Sequence, residues 1–286
     1  MPELPEVETL RRELDELLAG RIIKNVEVLW FKAVLPLTPT AYKKNLIGVK
    51  IEGADRRAKM LILNLNSNKF LTFHLKMTGQ LIFVPKSGEM ISGGHPTNDV
   101  QTPGKYTRII FTLDNNSHLY FNDLRKFGWS RLLNRNELDT ATEHYGPEPL
   151  SKNFTSKFLI EIFKQHPKST IKKILLDQTL IAGIGNIYAD EACFLAHLRP
   201  DRRVGTLNNE DITLLQEQIV AVLKLSIKHK GTSSRNYRRS DGSQGGFVPH
   251  LYVYGRSGDP CKVCNGTLVK IKHAGRGTHY CERCQS

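Results

Sequence analysis

Residues 261–284 read CKVCNGTLVKIKHAGRGTHYCERC, and this stretch places four cysteines in two Cys-x2-Cys pairs. Such pairs form two tight turns whose thiolates can bind one tetrahedral ion. Between the pairs, GTLVKIKH and GTHYC are typical of two short strands joined by the turn AGRG. The stretch therefore predicts a β-ribbon with one structural zinc ion, and its ligands would be Cys261, Cys264, Cys281 and Cys284.

Two disulfide bonds are the alternative for this spacing. The first residues, MPELPEVETL, are acidic where a secretory signal would be basic and then apolar, so we expect an intracellular protein with reduced thiols. Arg276 lies in the ribbon turn with glycine on each side, which would let a phosphate group approach its side chain. A solvated turn arginine is the other interpretation.

The charge of the chain indicates a polyanionic partner. The 286 residues carry 41 Lys and Arg against 28 Asp and Glu, a formal charge of +13. Residues 221–286 alone contain 12 basic and 3 acidic side chains, and nucleic acid is the commonest partner of such a region. A basic solvated face that aids solubility is the alternative. No apolar run reaches the roughly 18 to 20 residues of a membrane span.

The hydrophobic pattern changes twice along the chain. Residues 5–19 have helical spacing, and eight short runs with strand character follow up to residue 133. These runs are NVEVLW, GVKIEG, MLILNL, KFLTFHL, QLIFV, RIIFTL, SHLYF and WSRLL, and they predict an antiparallel sandwich or barrel. Helical spacing returns from about residue 153 to residue 230.

These patterns predict an α+β protein with several domains. We predict a helix plus β-sandwich domain at 1–133, a linker at 134–152, a helical domain at 153–230, and a ribbon at 250–286. Residues 231–249 are rich in Gly, Ser and Arg and have no periodicity, so they are a candidate lid over a substrate.

The amino terminus carries a second chemical signal. Aminopeptidases remove an initiator methionine before a small residue, which would expose the secondary amine of Pro2. Such an amine can attack a sugar C1′ and form a cationic iminium, whereas with Met1 attached the nitrogen is an unreactive amide. Alternatively, Pro2, Glu3 and Glu6 merely open a helix.

Several segments from residue 2 to residue 285 together resemble, in order, the signature segments of bacterial formamidopyrimidine-DNA glycosylases. They are MPELPEVETLRREL, RRAKMLILNL, HLKMTGQL, DLRKFGWSRLL, GPEPL, LLDQTLIAGIGNIYADEACFLAHLRPDR, VYGRSGDPCKVC and GRGTHYCERCQ. The resemblance implies a β-sandwich carrying the first helix, a helix-two-turn-helix domain and a zinc ribbon. It also implies a monomeric DNA glycosylase and AP lyase of base excision repair, in the bacterial cytoplasm at the nucleoid.

The resemblance implies a role for each matching residue. Pro2 would be the nucleophile that displaces an oxidised purine, and Glu3 the acid that protonates the opening deoxyribose. Lys59 would bind phosphate and assist β-elimination, and Arg276 would bind phosphate and assist δ-elimination. The substrate would be double-stranded DNA with 8-oxoguanine, a formamidopyrimidine or an abasic site.

The remaining matches would handle the DNA. A base inside a duplex must be extruded before it can react. Met77, Arg125 and Phe127 match the side chains that fill the emptied space, with Arg125 placed to read the opposite cytosine. Further matches would bind phosphate or organise the site, and these are Glu6, His74, Lys168 and Asn186.

Two segments depart from the family pattern. Where many relatives have KHDH, this chain has KYTR at 105–108. We therefore expect Tyr106 or Arg108 to make the DNA contact that a histidine makes in those relatives. Residues 164–172 align loosely, and Lys168 is selected there as a backbone contact. The alternatives are a pyrimidine-preferring enzyme that resembles endonuclease VIII, and a noncatalytic DNA-binding module on the same fold.

Overall fold

The computed structural model describes residues 1–66, 68–86, 91–94, 102–232 and 246–286. The chain forms two compact units, one from Met1–Glu143 with His229–Val248 and the other from His144–Lys228 with Pro249–Ser286. The helices after residue 144 and the ribbon therefore share one unit, which differs from the separate domains predicted at 153–230 and 250–286. Across the described ranges, no helix combines the length and the apolar character that crossing a membrane requires.

The first unit is an antiparallel β-sandwich with an N-terminal helix, as the sequence predicts. Its described helices are α1 (Leu4–Leu18), α2 (Pro39–Leu46) and α3 (Arg135–Thr142). Its described strands are β1 (Ile23–Val28), β2 (Ile51–Arg57), β3 (Met60–Leu65), β4 (Lys69–His74), β5 (Gly79–Val84), β6 (Ile91–Gly94), β7 (Thr107–Leu113), β8 (His118–Asp123) and β9 (Trp129–Leu133).

The strands form two sheets around one core. One sheet has the order β1-β7-β8-β5-β6 and the other has the order β2-β3-β4-β9. Phe73 of the second sheet packs against Phe111 and Phe121 of the first, with ring centroids 5.9 and 5.8 Å apart. Burial of such rings is a large apolar contribution to folding. Helix α1 adds Val7, Leu10, Leu14 and Leu18, which recur every three to four residues and are at most 1% exposed.

Two connections between the sheets matter for the site. The β4–β5 and β8–β9 connections both cross from one sheet to the other. Gly79 at the start of β5 pairs with Asp123 at the end of β8, and His74 at the end of β4 pairs with Trp129 at the start of β9. The two connecting loops, residues 75–78 and 124–128, therefore lie side by side at one edge of the sandwich.

Three elements of this unit were not predicted. Strand β6 has the sequence ISGG, which lacks an alternating apolar pattern, and α2 is a short helix between strands. Helix α3 lies inside the predicted linker 134–152. Its start is stabilised by a capping box, in which Glu137 N donates to Asn134 Oδ1 and Asn134 N donates to Glu137 Oε2.

The second unit contains the predicted helices and the ribbon. Its described elements are α4 (Ser156–Gln165), α5 (Ile171–Leu176), α6 (Asn186–Leu195), α7 (Asn209–Lys228), β10 (Leu268–His273) and β11 (Arg276–Cys281). Glu191 of α6 is fully buried and accepts hydrogen bonds from the backbone nitrogens of Tyr252, Val253 and Tyr254 at 2.8–2.9 Å. This contact fixes the chain just before the ribbon, because a buried carboxylate needs such donors.

Candidate functional site

The amino-terminal segment is buried in the first unit. Pro2 is buried, and Glu3 and Glu6 are only 4% and 1% exposed. Glu6 Oε2 accepts from Glu3 N at 3.0 Å, while its Oε1 accepts from Thr232 N at 2.8 Å and from Thr232 Oγ1 at 2.9 Å. One carboxylate therefore holds the first turn of α1 against a residue 226 positions away in sequence. Such charge-assisted bonds are stronger than neutral ones.

Gly231 makes this approach possible. Its φ of +82° lies in the left-handed region, and an added Cβ would lie 3.0–3.4 Å from the Glu6 carboxyl group. A side chain at residue 231 would therefore displace Glu6 as well as strain the backbone. Glu6 is among the site residues predicted from the sequence, whereas Thr232 and Gly231 are not. A contact across so many residues leaves no periodic signal.

The surroundings of the amino terminus favour a neutral amine. Burial lowers the pKa of the Met1 amino group, Glu3 and Glu6 raise it, and Lys59 lowers it. Burial is the largest of these effects because the charged form loses its hydration. The structure thus brings Glu3, Glu6 and Lys59 to act on the amino end of the chain.

Lys59 is presented by a hairpin. Residues 58 and 59 form the two-residue turn between β2 and β3, where Arg57 pairs with Met60. Ala58 has a φ of +54°, and Arg56 Nη1 donates to its carbonyl oxygen at 2.9 Å. Lys59 itself is only 7% exposed. A left-handed, non-glycine residue carries strain that the surrounding contacts must hold, and such residues cluster at functional sites.

His74 is buried as a neutral ring. Burial, with repulsion from Lys76 and Lys59, lowers the pKa of His74 to about 3. Its Nδ1 accepts from Lys76 N at 3.1 Å, so the hydrogen bond assigns the proton to Nε2. His74 can therefore act as a neutral donor to a phosphate oxygen at pH 7.

The three predicted wedge residues lie together on the adjacent loops 75–78 and 124–128. Met77 and Phe127 are 46% and 54% exposed. The Arg125 guanidinium lies 4.8 Å from the Phe127 ring centroid, and Arg125 Nη1 lies 3.0 Å from Met77 Sδ. Exposed apolar side chains that stack on a cation form a surface suited to enter a base stack.

The predicted phosphate-binding residues of the second unit lie on the helices and the ribbon. An open cavity of about 780 Å³ is lined by Lys168, Lys173, His273 and Arg276 among others. Asn186 at the start of α6 donates from Nδ2 to the Gly277 carbonyl at 3.0 Å, directly beside Arg276. Lys173 was not predicted from the sequence; it is exposed and directly follows the buried Lys172 in α5.

Comparison with known proteins shows the family of the chain. A family model described as the formamidopyrimidine-DNA glycosylase N-terminal domain matches residues 1–130, and the corresponding H2TH domain model matches residues 145–238. The formamidopyrimidine-DNA glycosylase of Heliobacterium modesticaldum is 40% identical over 288 residues, with 100% of each chain covered. The chain belongs to the formamidopyrimidine-DNA glycosylase family.

Solved structures of this glycosylase family resemble the whole chain. A complex between a mutant of the Lactococcus lactis enzyme and a Fapy-dG containing DNA has a TM-score of 0.88 and 35% identity, and 100% of each chain is covered. A complex of the Lactococcus lactis enzyme with an abasic site containing DNA has a TM-score of 0.88 and 34% identity, and 99% of each chain is covered.

The ribbon of this family member fits a zinc ion. A model described as a zinc finger found in FPG and IleRS matches residues 258–286. The four Sγ atoms lie within 4.8 Å of one another, with Cys261 and Cys284 3.8 Å apart and Cys264 and Cys281 3.5 Å apart. A tetrahedral zinc with sulfur ligands at about 2.3 Å needs sulfur atoms roughly 3.8 Å apart. The four cysteines are free rather than disulfide-bonded, and the ribbon binds one structural zinc ion.

The structure separates the two residues that replace the family histidine. Arg108 is 8% exposed, and it donates from Nε to the Asp123 carbonyl at 2.9 Å and from Nη1 to the Lys105 carbonyl at 3.1 Å. Arg108 therefore holds backbone, whereas Tyr106 is half-buried and stays the candidate DNA contact. Most of the candidate lid at 231–249 lies outside the described residues.

Proposed function

We propose that this chain is a bifunctional DNA glycosylase and AP lyase of base excision repair. Its substrate is double-stranded DNA that contains 8-oxoguanine, a formamidopyrimidine or an abasic site. The observation that carries this proposal is the buried amino end of the first unit, on which Glu3, Glu6 and Lys59 act electrostatically. A binding module would have no need for a buried Pro2 at the amino end beside two buried carboxylates and a buried lysine.

Removal of Met1 leaves Pro2 as a secondary amine. Its lone pair attacks C1′ of the damaged nucleotide, the bond from C1′ to the base breaks, and the base takes up the proton that the nitrogen gives up. Glu3 donates a proton to the ring oxygen as the sugar opens. The product is a cationic iminium between Pro2 and C1′.

The iminium then supports strand cleavage. Its positive charge makes the C2′ proton acidic, and loss of that proton expels the 3′ phosphate by β-elimination. Loss of the C4′ proton expels the 5′ phosphate by δ-elimination. Lys59 stabilises the phosphate that leaves first, and Arg276 stabilises the second, because each is a cation. The zinc ion, when bound, supplies folding free energy to the ribbon that carries Arg276.

The wedge residues make the damaged nucleotide available. Extrusion costs a few kcal/mol of lost stacking and pairing. Met77 and Phe127 fill the space that the nucleotide leaves, and Arg125 donates to the acceptors of the opposite cytosine. His74, Asn186 and Lys168 bind phosphates, and Glu6 holds the amino end. We infer that the enzyme works in the bacterial cytoplasm, because its named relatives are bacterial proteins and some bind DNA.

Borohydride trapping tests this proposal. The protein is incubated with a duplex that has one 8-oxoguanine opposite cytosine, borohydride is added, and the products are separated on a denaturing gel. A covalent protein–DNA adduct is expected for the mature chain. Pro2→Leu, which retains Met1 because leucine is not small, gives no adduct. Binding of the duplex without trapping or incision would overturn the proposal.

Two further arms define the chemistry. Glu3→Gln should lower base excision by roughly 10²–10⁴-fold. It should still form an adduct on a preformed abasic site, whose aldehyde is already open. A duplex with thymine glycol tests the pyrimidine-preferring alternative, and faster excision of thymine glycol than of 8-oxoguanine would favour it.

A further inference from the structure

One buried carboxylate touches both loops that carry the wedge residues. Asp123 ends β8 and is 1% exposed. Its Oδ1 accepts a short hydrogen bond from Thr78 Oγ1 and a second from Arg125 N at 3.2 Å, while its Oδ2 accepts from Gly128 N at 2.6 Å. The carboxylate therefore spans loop 124–128 from one side to the other and also reaches loop 75–78.

Thr78 completes the link. Its hydroxyl oxygen accepts from Arg125 N at 3.0 Å while the hydroxyl hydrogen is donated to Asp123. Thr78 directly follows Met77, and Arg125 N belongs to the wedge arginine itself. The hydroxyl thus connects the backbone positions of Met77 and Arg125 through one atom. Thr78 and Asp123 are only 7% and 1% exposed, and a lost hydrogen-bond partner costs more for such buried side chains than at the surface.

The surrounding backbone keeps Asp123 in place. Asp123 N donates to the Tyr106 carbonyl at 2.9 Å, and the Asp123 carbonyl accepts from Arg108 Nε at 2.9 Å. At Gly128, an added Cβ would lie 2.8 Å from Phe121, 3.1 Å from the His74 carbonyl and 3.2 Å from Asp123 Oδ2. The close approach of Gly128 N to the carboxylate therefore requires glycine.

The wedge side chains extend outward from this buried link. Arg125 lies beside Met77 Sδ and over the Phe127 ring, so the three side chains form one surface only if the two loops keep their relative position. A guanidinium reads a base edge by directional hydrogen bonds, and an error of about 1 Å in its position removes much of their value.

We propose that Asp123 and Thr78 are positioning residues that lock the two wedge loops together, so that Arg125 can discriminate the base opposite the lesion. This inference rests on the proposed function. It differs from a general stabilising role because it assigns a specific loss, that of opposite-base discrimination, to the removal of one hydroxyl group.

The chain offers a matched set of variants. Thr78→Val removes the hydroxyl group at nearly constant side-chain volume, and the separate variant Thr78→Ser keeps the hydroxyl group. Asp123→Asn replaces one carboxylate oxygen with an NH2 group that cannot accept a hydrogen bond, so the side chain can no longer accept from both Arg125 N and Gly128 N. Thr72→Val is the control, because Thr72 is a fully buried threonine of β4 whose hydroxyl donates to the Arg131 carbonyl at 3.1 Å, away from the wedge.

Three measurements are made on each variant. Single-turnover excision of 8-oxoguanine opposite cytosine and opposite adenine gives the discrimination ratio. A 2-aminopurine beside the opposite base reports wedge insertion by its fluorescence. Cleavage of an abasic site in single-stranded DNA reports the lyase chemistry without any opposite strand.

We expect about a tenfold preference for cytosine in the unsubstituted protein, since a mismatched contact costs about 1–3 kcal/mol. Thr78→Val and Asp123→Asn should reduce that preference severalfold and weaken the fluorescence change, while single-strand cleavage stays near its original rate. Thr78→Ser and Thr72→Val should keep the preference.

An unchanged ratio in both Thr78→Val and Asp123→Asn, or an equal fall in single-strand cleavage, would overturn the inference. Absence of all cleavage in the unsubstituted protein would instead overturn the proposed function.

Discussion

The proposed catalytic residues of the two units are held by different kinds of contact. In the first unit, Pro2, Glu3 and Lys59 are buried, and Glu6 of the same helix turn supports the amino end. In the second unit, Arg276 is exposed at the start of β11, and contacts below it hold the strand. The contacts of the first unit therefore surround the reactive groups themselves, whereas the contacts of the second unit hold the strand that carries Arg276.

The contacts beneath Arg276 centre on a buried ion pair. Lys172 and Asp190 are both fully buried, and Lys172 Nζ lies 2.5 Å from Asp190 Oδ1. Lys172 also donates to the Gly277 carbonyl at 3.0 Å, and Asp190 Oδ2 accepts from His279 N at 2.9 Å. Helices α5 and α6 thereby hold two residues of β11. An amine whose pKa is lowered by burial must be enclosed by the protein, whereas an arginine that binds phosphate must be exposed on a firmly held strand.

The largest expected effect comes from removing a zinc ligand. Cys281→Ser should abolish zinc binding and duplex incision, because zinc supplies about 10–16 kcal/mol to comparable zinc-finger peptides. The fluorescence of Trp30 and Trp129, the two tryptophans of the chain, should stay unchanged because both lie in the first unit. Metal analysis, a gel assay and emission spectra measure these quantities.

The control for this variant is Cys193→Ala. Cys193 is fully buried in α6 and is not among the four clustered thiols, so this variant should keep one zinc ion per chain. Full incision by zinc-free Cys281→Ser would show that the ribbon does not need metal to support Arg276.

A smaller loss is expected from the buried ion pair. Lys172→Met should cost about 3–5 kcal/mol in the stability of the second unit, because it leaves the Asp190 carboxylate without its ammonium partner. Urea unfolding followed by circular dichroism at saturating zinc measures this cost. Lys164→Met is the matched control, since Lys164 is 66% exposed and its pair with Glu161 should be worth at most about 1 kcal/mol. Equal losses in the two variants would contradict the proposed anchoring.

Local patterns in the sequence account for much of the fold. The eight strand runs, the first helix and the later helical region follow from period-two and helical spacing, and the ribbon follows from cysteine spacing. Helix α7, at Asn209–Lys228, ends close to residue 230, where the predicted helical spacing also ends. The missed elements α2, α3 and β6 are short, and tertiary contacts outweigh propensity in such segments.

The partners of the site residues could not be predicted in the same way. Thr232 meets Glu6, Thr78 meets Asp123, and Lys172 meets Asp190 because the chain returns to an earlier element. No spacing rule relates such pairs. Lys59 could be selected only because its motif resembles a known family, whereas Arg276 was also indicated by its glycine-flanked turn. The roles of Glu3, Lys59 and Arg276 stay predictions that the experiments above test.

The pH dependence of trapping tests the enclosed amine. Burial, the largest effect at the amino end, lowers the pKa there from an ordinary value of about 8.0, and we expect the same for Pro2 once Met1 is removed. Because only the neutral amine attacks, trapping on a preformed abasic site should rise with pH and level off below about pH 8. Glu3→Gln removes a charge that raises the pKa, so its midpoint should move to lower pH.

Lys59→Met should shift the same midpoint in the opposite direction, because Lys59 lowers the pKa of the amino end. The comparison uses the midpoint rather than the rate, since both residues also have proposed roles in the chemistry. Midpoints that move in the same direction in the two variants would contradict the arrangement of charges around the amine.

The smallest expected effect concerns the exposed site, where single cations are removed from the cavity of the second unit. Duplex binding should weaken steeply with salt, because each neutralised phosphate releases counterions and contributes about 0.9 to the slope of log K against log salt. Arg276→Ala and Lys173→Ala should each reduce that slope by about one, since both side chains line the cavity that also contains Lys168. Lys157→Ala removes an equal charge from an exposed position of α4 outside the cavity lining and should leave the slope unchanged. Fluorescence anisotropy at several salt concentrations gives the slopes of the unsubstituted protein and of the three variants. If Lys157→Ala lowered the slope as much as Arg276→Ala, binding would depend only on net charge, and the rigid support beneath β11 would have no role in placing a phosphate contact. A reduction confined to the two cavity variants would instead show that the phosphates are bound at defined positions on this unit.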